Sequence, residues 1–283
     1  MPPLRLALLT LLTMSAFAGN SLLCRAALRQ TAIDPWSFTL VRIVAGALAL
    51  ALIALFRSGG FRQAGSWGSG LALFAYAAFF SGAYVTLPAG TGALLLFGAV
   101  QATMIVWGLR SGERIRLAQG VGLALALAGL VLLTLPGIAA PRPLGALSML
   151  AAGLAWGIYS LRGRGGKDPL RTTAGNFLRA CLPAGLLALA LISYTRFDAA
   201  GFAYAALSGA LASGVGYAIW YTVLPHLTAT RAAGVQLSVP VLAALGGIAF
   251  LSETLTLRLV GASILVLGGI ALVVLERART SVP

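Results

Sequence analysis

Acidic side chains are few in this sequence, and two of them occupy matching settings about half a chain apart. Glu113 and Glu253 each follow a small residue and precede a short polar turn and a long apolar run. An ionisable group inside a membrane often belongs to a proton or ion relay. A carboxylate at a helix end instead accepts N–H bonds from the first turn of the following helix. Because both glutamates lie at the edge of an apolar run, we expect this structural role near the membrane interface.

Two arginines, Arg42 and Arg179, lie about two turns inside apolar segments. Each could bind a substrate carboxylate, or it could reach back to the interface and hold backbone carbonyls of neighbouring helices. Their matching positions in the two halves of the chain would lie towards opposite membrane faces, so both cannot contact one substrate at mid-membrane. We expect the structural role for both.

Catalytic side chains are scarce. The sequence contains six acidic residues, one histidine (His226) and two cysteines, Cys24 and Cys181, which lie in or beside apolar segments. Intramembrane hydrolases and transferases need paired carboxylates, a metal set that includes histidine, or an activated nucleophile. We therefore predict no enzymatic activity, no metal site, no cofactor and no disulfide framework.

Aromatic and amide side chains are better candidates for binding a solute. Tyr76, Phe80 and Tyr84 are spaced four residues apart and share one helix face. Hydroxyls and amides that faced lipid would lack hydrogen-bond partners. The alternative is that these residues are core or lipid-facing aromatics, with Tyr84 and Tyr221 in an interfacial belt. We predict substrate contacts for ten residues: Asn20, Tyr76, Phe80, Tyr84, Gln101, Trp156, Tyr159, Tyr217, Trp220 and Gln236.

The elements that carry these residues span a membrane. A hydrophobic content of 59%, a charged content of 9% and a mean hydropathy of +0.95 lie outside the range of soluble domains. Apolar runs of about 20 residues, enough to cross a hydrocarbon core of about 30 Å, recur along the whole chain. We place ten segments near 6–24, 36–56, 69–87, 91–109, 118–136, 144–161, 173–194, 200–224, 229–251 and 258–275.

The net charge of +14 reflects topology. With the N-terminus in the cytoplasm, the segments on that side carry 13 cations and the opposite side carries 5, while Arg42 and Arg179 fall inside segments. The positive-inside rule then places both termini in the cytoplasm. Cations spread so evenly over short loops argue against nucleic-acid binding.

Internal repeats divide the chain into two units. The sequence AYVTLP at 83–88 reappears as WYTVLP at 220–225, and the Asp-Pro pair at 34–35 reappears at 168–169. Each unit contains five segments, so the second unit enters the membrane from the opposite face. Inverted repeats of this kind are typical of secondary transporters, whose substrate site lies near the midplane between the halves.

The two units, residues 1–138 and 139–283, also resemble a known family. The ten-segment layout, the arginines in segments two and seven, and the GERIRLAQGVG and SETLTLRLVG hairpins are similar to EamA-type transporters of the drug/metabolite transporter (DMT) superfamily. The aromatic-rich segments three, four, six and eight resemble bacterial amino-acid exporters of the YddG type. The resemblance implies an all-α basket of ten transmembrane helices around a central cavity.

These observations predict a multi-pass inner-membrane transporter that exports small zwitterionic metabolites, foremost amino acids, including aromatic and hydrophobic ones. We expect alternating access through a central cavity, with the protein acting as a uniporter or facilitator, or with export only loosely linked to protons. A proton-coupled exporter of drugs or other metabolites, and a channel-like or structural subunit, are the alternatives. The expected partners are a small-molecule substrate and the lipid bilayer, and the sequence leaves the oligomeric state open.

Overall fold

The computed structural model describes residues 1–58, 64–110, 117–135, 140–163, 168–227 and 229–279. Within these ranges the secondary structure is helical, and nine segments are long and apolar enough to cross a membrane. The helices are α1 (Pro3–Gln30), α2 (Pro35–Ser58), α3 (Trp67–Tyr84), α4 (Ala89–Arg110), α5 (Leu117–Thr134), α6 (Pro143–Arg162), α7 (Pro169–Ala190), α8 (Ala199–Leu207), α9 (Gly216–Val223), α10 (Ala229–Gln236), α11 (Ser238–Leu251) and α12 (Leu257–Arg279).

These helices form the ten predicted segments, which confirms the all-α membrane fold. The eighteen-residue α3 is the segment that falls outside the nine spans. The eighth segment consists of α8, a π-helix at Ser208–Val215 and α9, while α10 and α11 form the ninth and α12 the tenth.

Aspartates start several of the helices. Asp34 accepts N–H bonds from the first turn of α2, and Asp168 and Asp198 cap α7 and α8 in the same way. A proline follows Asp34 and Asp168 at the first helical position, where its missing N–H costs nothing. The repeated Asp-Pro pair is therefore a helix start used twice, and these acids are engaged with backbone.

The helices pack in a pattern that maps onto itself when each segment is exchanged with the one five places along. Three pairs of segments five places apart lie side by side: α2 with α7, α4 with α11, and α5 with α12. The packing of α3 and α4 against α6 is matched by that of segments eight and nine against α1. A two-fold relation between the halves requires this exchange, and the boundary near residue 138 stays a prediction.

Glycines allow the closest of these approaches. A Cβ at Gly122 on α5 would lie 2.6 Å from the carbonyl oxygen of Gly269 on α12, so no larger residue fits there. Likewise, Gly209 of the π-helix lies directly against the backbone carbonyl of Arg42 on α2. Small residues at such contacts let membrane helices pack backbone to backbone.

Loops that follow odd-numbered segments meet at one end of the bundle, here called the outer end. There the backbone N–H of Arg196 donates to Asp34 at 2.9 Å, which joins the α1–α2 loop to the α7–α8 loop. At the opposite, inner end the Ser66 N–H donates to Asn176 at 2.9 Å. The cation count predicts that the outer end faces away from the cytoplasm.

Candidate functional site

A cluster of aromatic rings fills the centre of the bundle, and Trp156 on α6 lies in its middle. The Trp156 ring centroid is 4.8 Å from that of Tyr76 on α3, 5.5 Å from Tyr217 on α9 and 5.3 Å from Tyr159 on α6. Four more rings surround these and complete the aromatic cluster: Phe17, Phe80, Phe177 and Trp220. The structure thus brings together six of the ten residues predicted to contact substrate.

Arg42 lies inside this cluster. Its side chain is 2% exposed, and its Nη2 donates a 2.9 Å hydrogen bond to the hydroxyl of Tyr76. The guanidinium also stacks over the rings of Phe80 and Tyr76, at 4.8 and 5.1 Å from the centroids. The expectation that Arg42 reaches the membrane interface is therefore wrong, because the side chain points into the bundle.

The positive charge of Arg42 has no carboxylate partner among the side chains that the structure describes. Its Nη1 is buried without a hydrogen-bond partner. The four carboxylates whose contacts the structure describes pair with other arginines or cap helices: Asp34, Asp168, Asp198 and Glu253. A buried charge is costly unless hydrogen bonds and an opposite charge compensate it. Arg42 therefore leaves a strong donor free for an anionic group.

A chain of hydrogen bonds extends from Arg42 across the site. Asn20 on α1 donates to the Tyr76 hydroxyl at 3.3 Å, and its amide oxygen accepts a 2.6 Å bond from Ser208 in the π-helix. The Tyr76 oxygen accepts from both Arg42 and Asn20, so its own proton is free to donate. Asn20 is thus a substrate-site candidate that the structure places beside the cluster.

The π-helix shapes the wall next to this chain. Ser208 and Ser213 both lie in this helix, five residues apart. The Ser213 hydroxyl is buried and has no hydrogen-bond partner. The π-helix therefore carries a second buried polar group without a hydrogen-bond partner, besides Arg42 Nη1.

Arg179, the counterpart of Arg42 in the second half, has a different environment. Its Nη1 donates to the carbonyl oxygens of Ala64 at 3.0 Å and Gly175 at 2.9 Å. These bonds hold the α2–α3 loop against α7. The two arginines were expected to act alike, but only Arg179 holds backbone carbonyls.

Glu253 lies at the outer end, where it joins both halves. One carboxylate oxygen accepts from Arg25 Nε at 3.2 Å, and the other accepts from the Ala89 N–H at 2.8 Å. Glu253 thus caps α4, and Thr256 caps the following helix α12 through the Leu259 N–H. We expected Glu253 to accept N–H bonds from the helix that follows it. This prediction is wrong, because the α11–α12 loop folds back over the start of α4.

Tyr84 belongs to the same group of contacts at the outer end as Arg25 and Glu253. Its hydroxyl donates to the Ala89 carbonyl at 3.3 Å, and its own carbonyl accepts from Arg25 at 2.9 Å. The side chain is fully buried, which contradicts an interfacial-belt position. Tyr84 contacts the aromatic cluster through Phe80, at 4.7 Å between centroids, and closes the α3–α4 turn.

Two predicted amides lie away from the cluster. Gln101 lines a narrow crevice between α4, α5 and α12. Gln236 ends α10, half-buried, and has no hydrogen bond to the cluster among the described residues. The predicted cavity that joined both glutamines to Tyr76, Trp156 and Tyr217 is therefore wrong, and Glu113 lies outside the described residues.

Comparison with known proteins identifies the family. The sequence profile of the EamA-like transporter family matches residues 143–275. The chain is also 59% identical to the uncharacterized protein PA1977 of Pseudomonas aeruginosa, over 98% of this chain and 97% of that protein. The chain belongs to the EamA-like transporter family. A solved crystal structure shares the fold, with a TM-score of 0.69 and 21% identity over 96% of this chain and 98% of the other.

The EamA-like family and the apolar helices make this chain a multi-pass protein of the bacterial inner membrane, in the DMT superfamily. In this EamA-like transporter the aromatic cluster is closed towards both ends of the bundle. Arg25, Glu253 and Tyr84 cover it on the outer side. On the inner side Asn176 donates to the Tyr159 hydroxyl at 3.5 Å, and Arg162 donates to Ser69 at 3.2 Å.

Sequence reasoning missed several members of the site of this EamA-like transporter. Phe17 and Phe177 pack on Tyr217, and Ser208 completes the polar chain through Asn20. Four-residue spacing found the stripe on α3, but Phe17 and Phe177 are single aromatics in apolar helices. For Arg42, the one sequence signal of a central position was its depth of about two turns inside an apolar segment.

Proposed function

We propose that this transporter exports small metabolites that carry a carboxylate, with amino acids bearing apolar or aromatic side chains as the first candidates. The observation that supports this proposal is the buried guanidinium of Arg42, with a free Nη1 inside an aromatic cluster. Such a site needs an anion to complete it and an apolar group to lie against its rings.

A substrate carboxylate finds two donors at Arg42. The free Nη1 supplies a charge-assisted hydrogen bond, and the Tyr76 hydroxyl proton supplies a second one nearby. Because Nη2 already holds the Tyr76 oxygen at 2.9 Å, the two donors are fixed relative to each other. Donors that are positioned in advance lose little freedom when the carboxylate binds.

The aromatic rings suit the apolar part of such a substrate. Trp156 and Tyr217 offer ring faces and edges on which an aliphatic or aromatic side chain packs. In the described conformation these rings fill the space between themselves, so a substrate enters only when the helices that carry them part. Alternating access supplies that motion, with closed outer and inner ends opening in turn.

Transport by simple facilitation fits the positions of the four acidic side chains whose contacts the structure describes. Asp34, Asp168 and Asp198 cap helices, and Glu253 pairs with Arg25. None of these four carboxylates contacts the aromatic cluster, where a coupling proton would have to be carried. A zwitterion crosses without net charge, so the membrane potential adds little driving force.

The test is counterflow in liposomes that contain the purified protein and an excess of unlabelled amino acid. We expect labelled leucine or phenylalanine to accumulate transiently, and an imposed pH step alone to drive no uptake. Arg42→Met should abolish counterflow, whereas Arg179→Met, the matched control, should keep the native KM. Native counterflow by Arg42→Met would refute the carboxylate site, and uphill uptake driven by pH would refute facilitation.

A further inference from the structure

A cavity of about 520 Å³ opens at the outer end, above the aromatic cluster. Its walls come from both halves: the end of α1, the α3–α4 turn, the residues before α6, and the α11–α12 loop. Small-molecule sites have volumes of about 300–1,000 Å³, so this space admits an amino acid with water.

The cavity is strongly positive. Arg25, Arg29 and Arg142 line it, and Glu253 is the single carboxylate among its lining residues. Arg25 is occupied by Glu253, whereas Arg29 donates one bond, at 3.2 Å, to the Leu251 carbonyl. Arg142 is exposed and forms no ion pair with a described carboxylate. Two guanidinium groups therefore present free forks of donors, the geometry that suits a carboxylate or phosphate.

The floor of the cavity leads directly to the central site. Arg25 holds the carbonyl of Tyr84, the Tyr84 ring packs on Phe80, and Phe80 lies under the guanidinium of Arg42. A solute that leaves Arg42 towards the outer end therefore passes Arg25 and Glu253 and enters the cavity.

We propose that this cavity is a second binding site for the transported solute, in which Arg29 and Arg142 hold its carboxylate outside the closed Arg25–Glu253 pair. This inference rests on the proposed function for the identity of the solute. It adds a separate site, with its own residues, whose positive charge raises the local concentration of the anionic group at the outer mouth.

Binding stoichiometry separates the two sites. We expect equilibrium dialysis with labelled phenylalanine to show two molecules bound per native protein, and one in either Arg42→Met or the double variant Arg29→Gln/Arg142→Gln. Arg196→Gln, which removes an exposed arginine at the same end outside the cavity, should keep two. A native stoichiometry of one that falls to zero only in Arg42→Met would refute the cavity site and leave the proposed function intact. One molecule that persists in Arg42→Met and is lost in the double variant would support the cavity site and refute the central one.

Transport kinetics give a second readout. In oriented liposomes the double variant should raise the KM for solute added at the outer end about tenfold, because it removes about one charge-assisted hydrogen bond. The KM for solute added at the inner end should stay within about twofold of the native value. An unchanged outer KM, or an equal rise on both sides, would overturn the proposal. Lipid phosphate offers the same chemistry, so the measurement is repeated with phosphatidylcholine alone and with phosphatidylglycerol added. An effect of the double variant that is confined to stability in phosphatidylglycerol would assign the cavity to lipid headgroups and refute the solute site.

Discussion

The Arg25–Glu253 pair closes the outer end, and replacing Glu253 with glutamine should open it. Glutamine keeps an oxygen that can accept the Ala89 N–H bond, but it removes the charge that pairs with Arg25. The side chains of Arg25 and Glu253 are only 11% and 8% exposed, so water compensates little of the loss. The substitution therefore weakens one defined contact between the two halves without removing atoms from the core.

The size of the effect follows from the bonds that remain. Removing one partner of a fully buried pair costs about 3–5 kcal/mol. Here Arg25 retains the carbonyls of Tyr84 and Val85, at 2.9 and 3.1 Å, so we expect about 2 kcal/mol. Since about 1.4 kcal/mol corresponds to a factor of ten, the population opened to the outside should rise about thirtyfold.

Cys24 is a native reporter for this opening. It is fully buried, next to Arg25 on α1, and lies beside Ser81 of α3. In a Cys181→Ala background, a membrane-impermeant maleimide added at the outer end should label Cys24 slowly. Glu253→Gln should increase the initial labelling rate about thirtyfold, in proportion to the open population. Asp198→Asn, which removes another carboxylate at the same end, is the control, and a native labelling rate in Glu253→Gln would refute the role of the pair.

Two further predictions concern packing and pH. Gly122→Leu should destabilise the protein by at least about 2 kcal/mol in thermal unfolding, because its Cβ would lie 2.6 Å from the Gly269 carbonyl oxygen. Gly268→Leu is the control and should be tolerated, because nothing lies within 4 Å of its Cβ. An equal loss of stability in both variants would contradict the α5–α12 contact. Burial raises the pKa of Asp34, but hydrogen bonds from the α2 start and from Arg196 outweigh it, so its pKa lies below the usual value. The Asp34 carboxylate therefore stabilises the folded state above its unfolded pKa of about 4, and this stabilisation is lost as pH falls through the folded pKa. Hydrogen exchange of the Arg196 backbone amide should accordingly accelerate only below about pH 4. Asp34→Asn should remove that pH dependence.

Local sequence features predicted those parts of the molecule that depend on neighbouring residues. Apolar run length gave the ten segments, and four-residue spacing gave the face of α3 that carries Tyr76 and Phe80. The direction of Arg42 depended instead on the rings of α3, which only the packing of α2 against α3 brings close. The partner of Glu253 likewise depended on a loop that reaches Ala89, 164 residues away in sequence.

The sequence also did not predict which neighbouring helix a given side chain faces. Gln101 was expected at the centre, but it faces α5 and α12, because an amide in an apolar helix does not specify which neighbour it meets. The π-helix changes the register between Ser208 and Tyr217, and its composition of small residues resembles that of ordinary membrane helices. These features are properties of the assembled bundle.

Recognition of a carboxylate by Arg42 is the central claim, and the most direct test compares phenylalanine with phenylalaninamide, which lacks the carboxylate. We expect the native protein to bind phenylalanine about 10- to 100-fold more tightly, the range that corresponds to charge-assisted hydrogen bonds. In Arg42→Met the central site should bind phenylalanine no more tightly than phenylalaninamide, while Arg179→Met should keep the native ratio. A native ratio in Arg42→Met, measured in the Arg29→Gln/Arg142→Gln background that removes the outer cavity, would contradict the account.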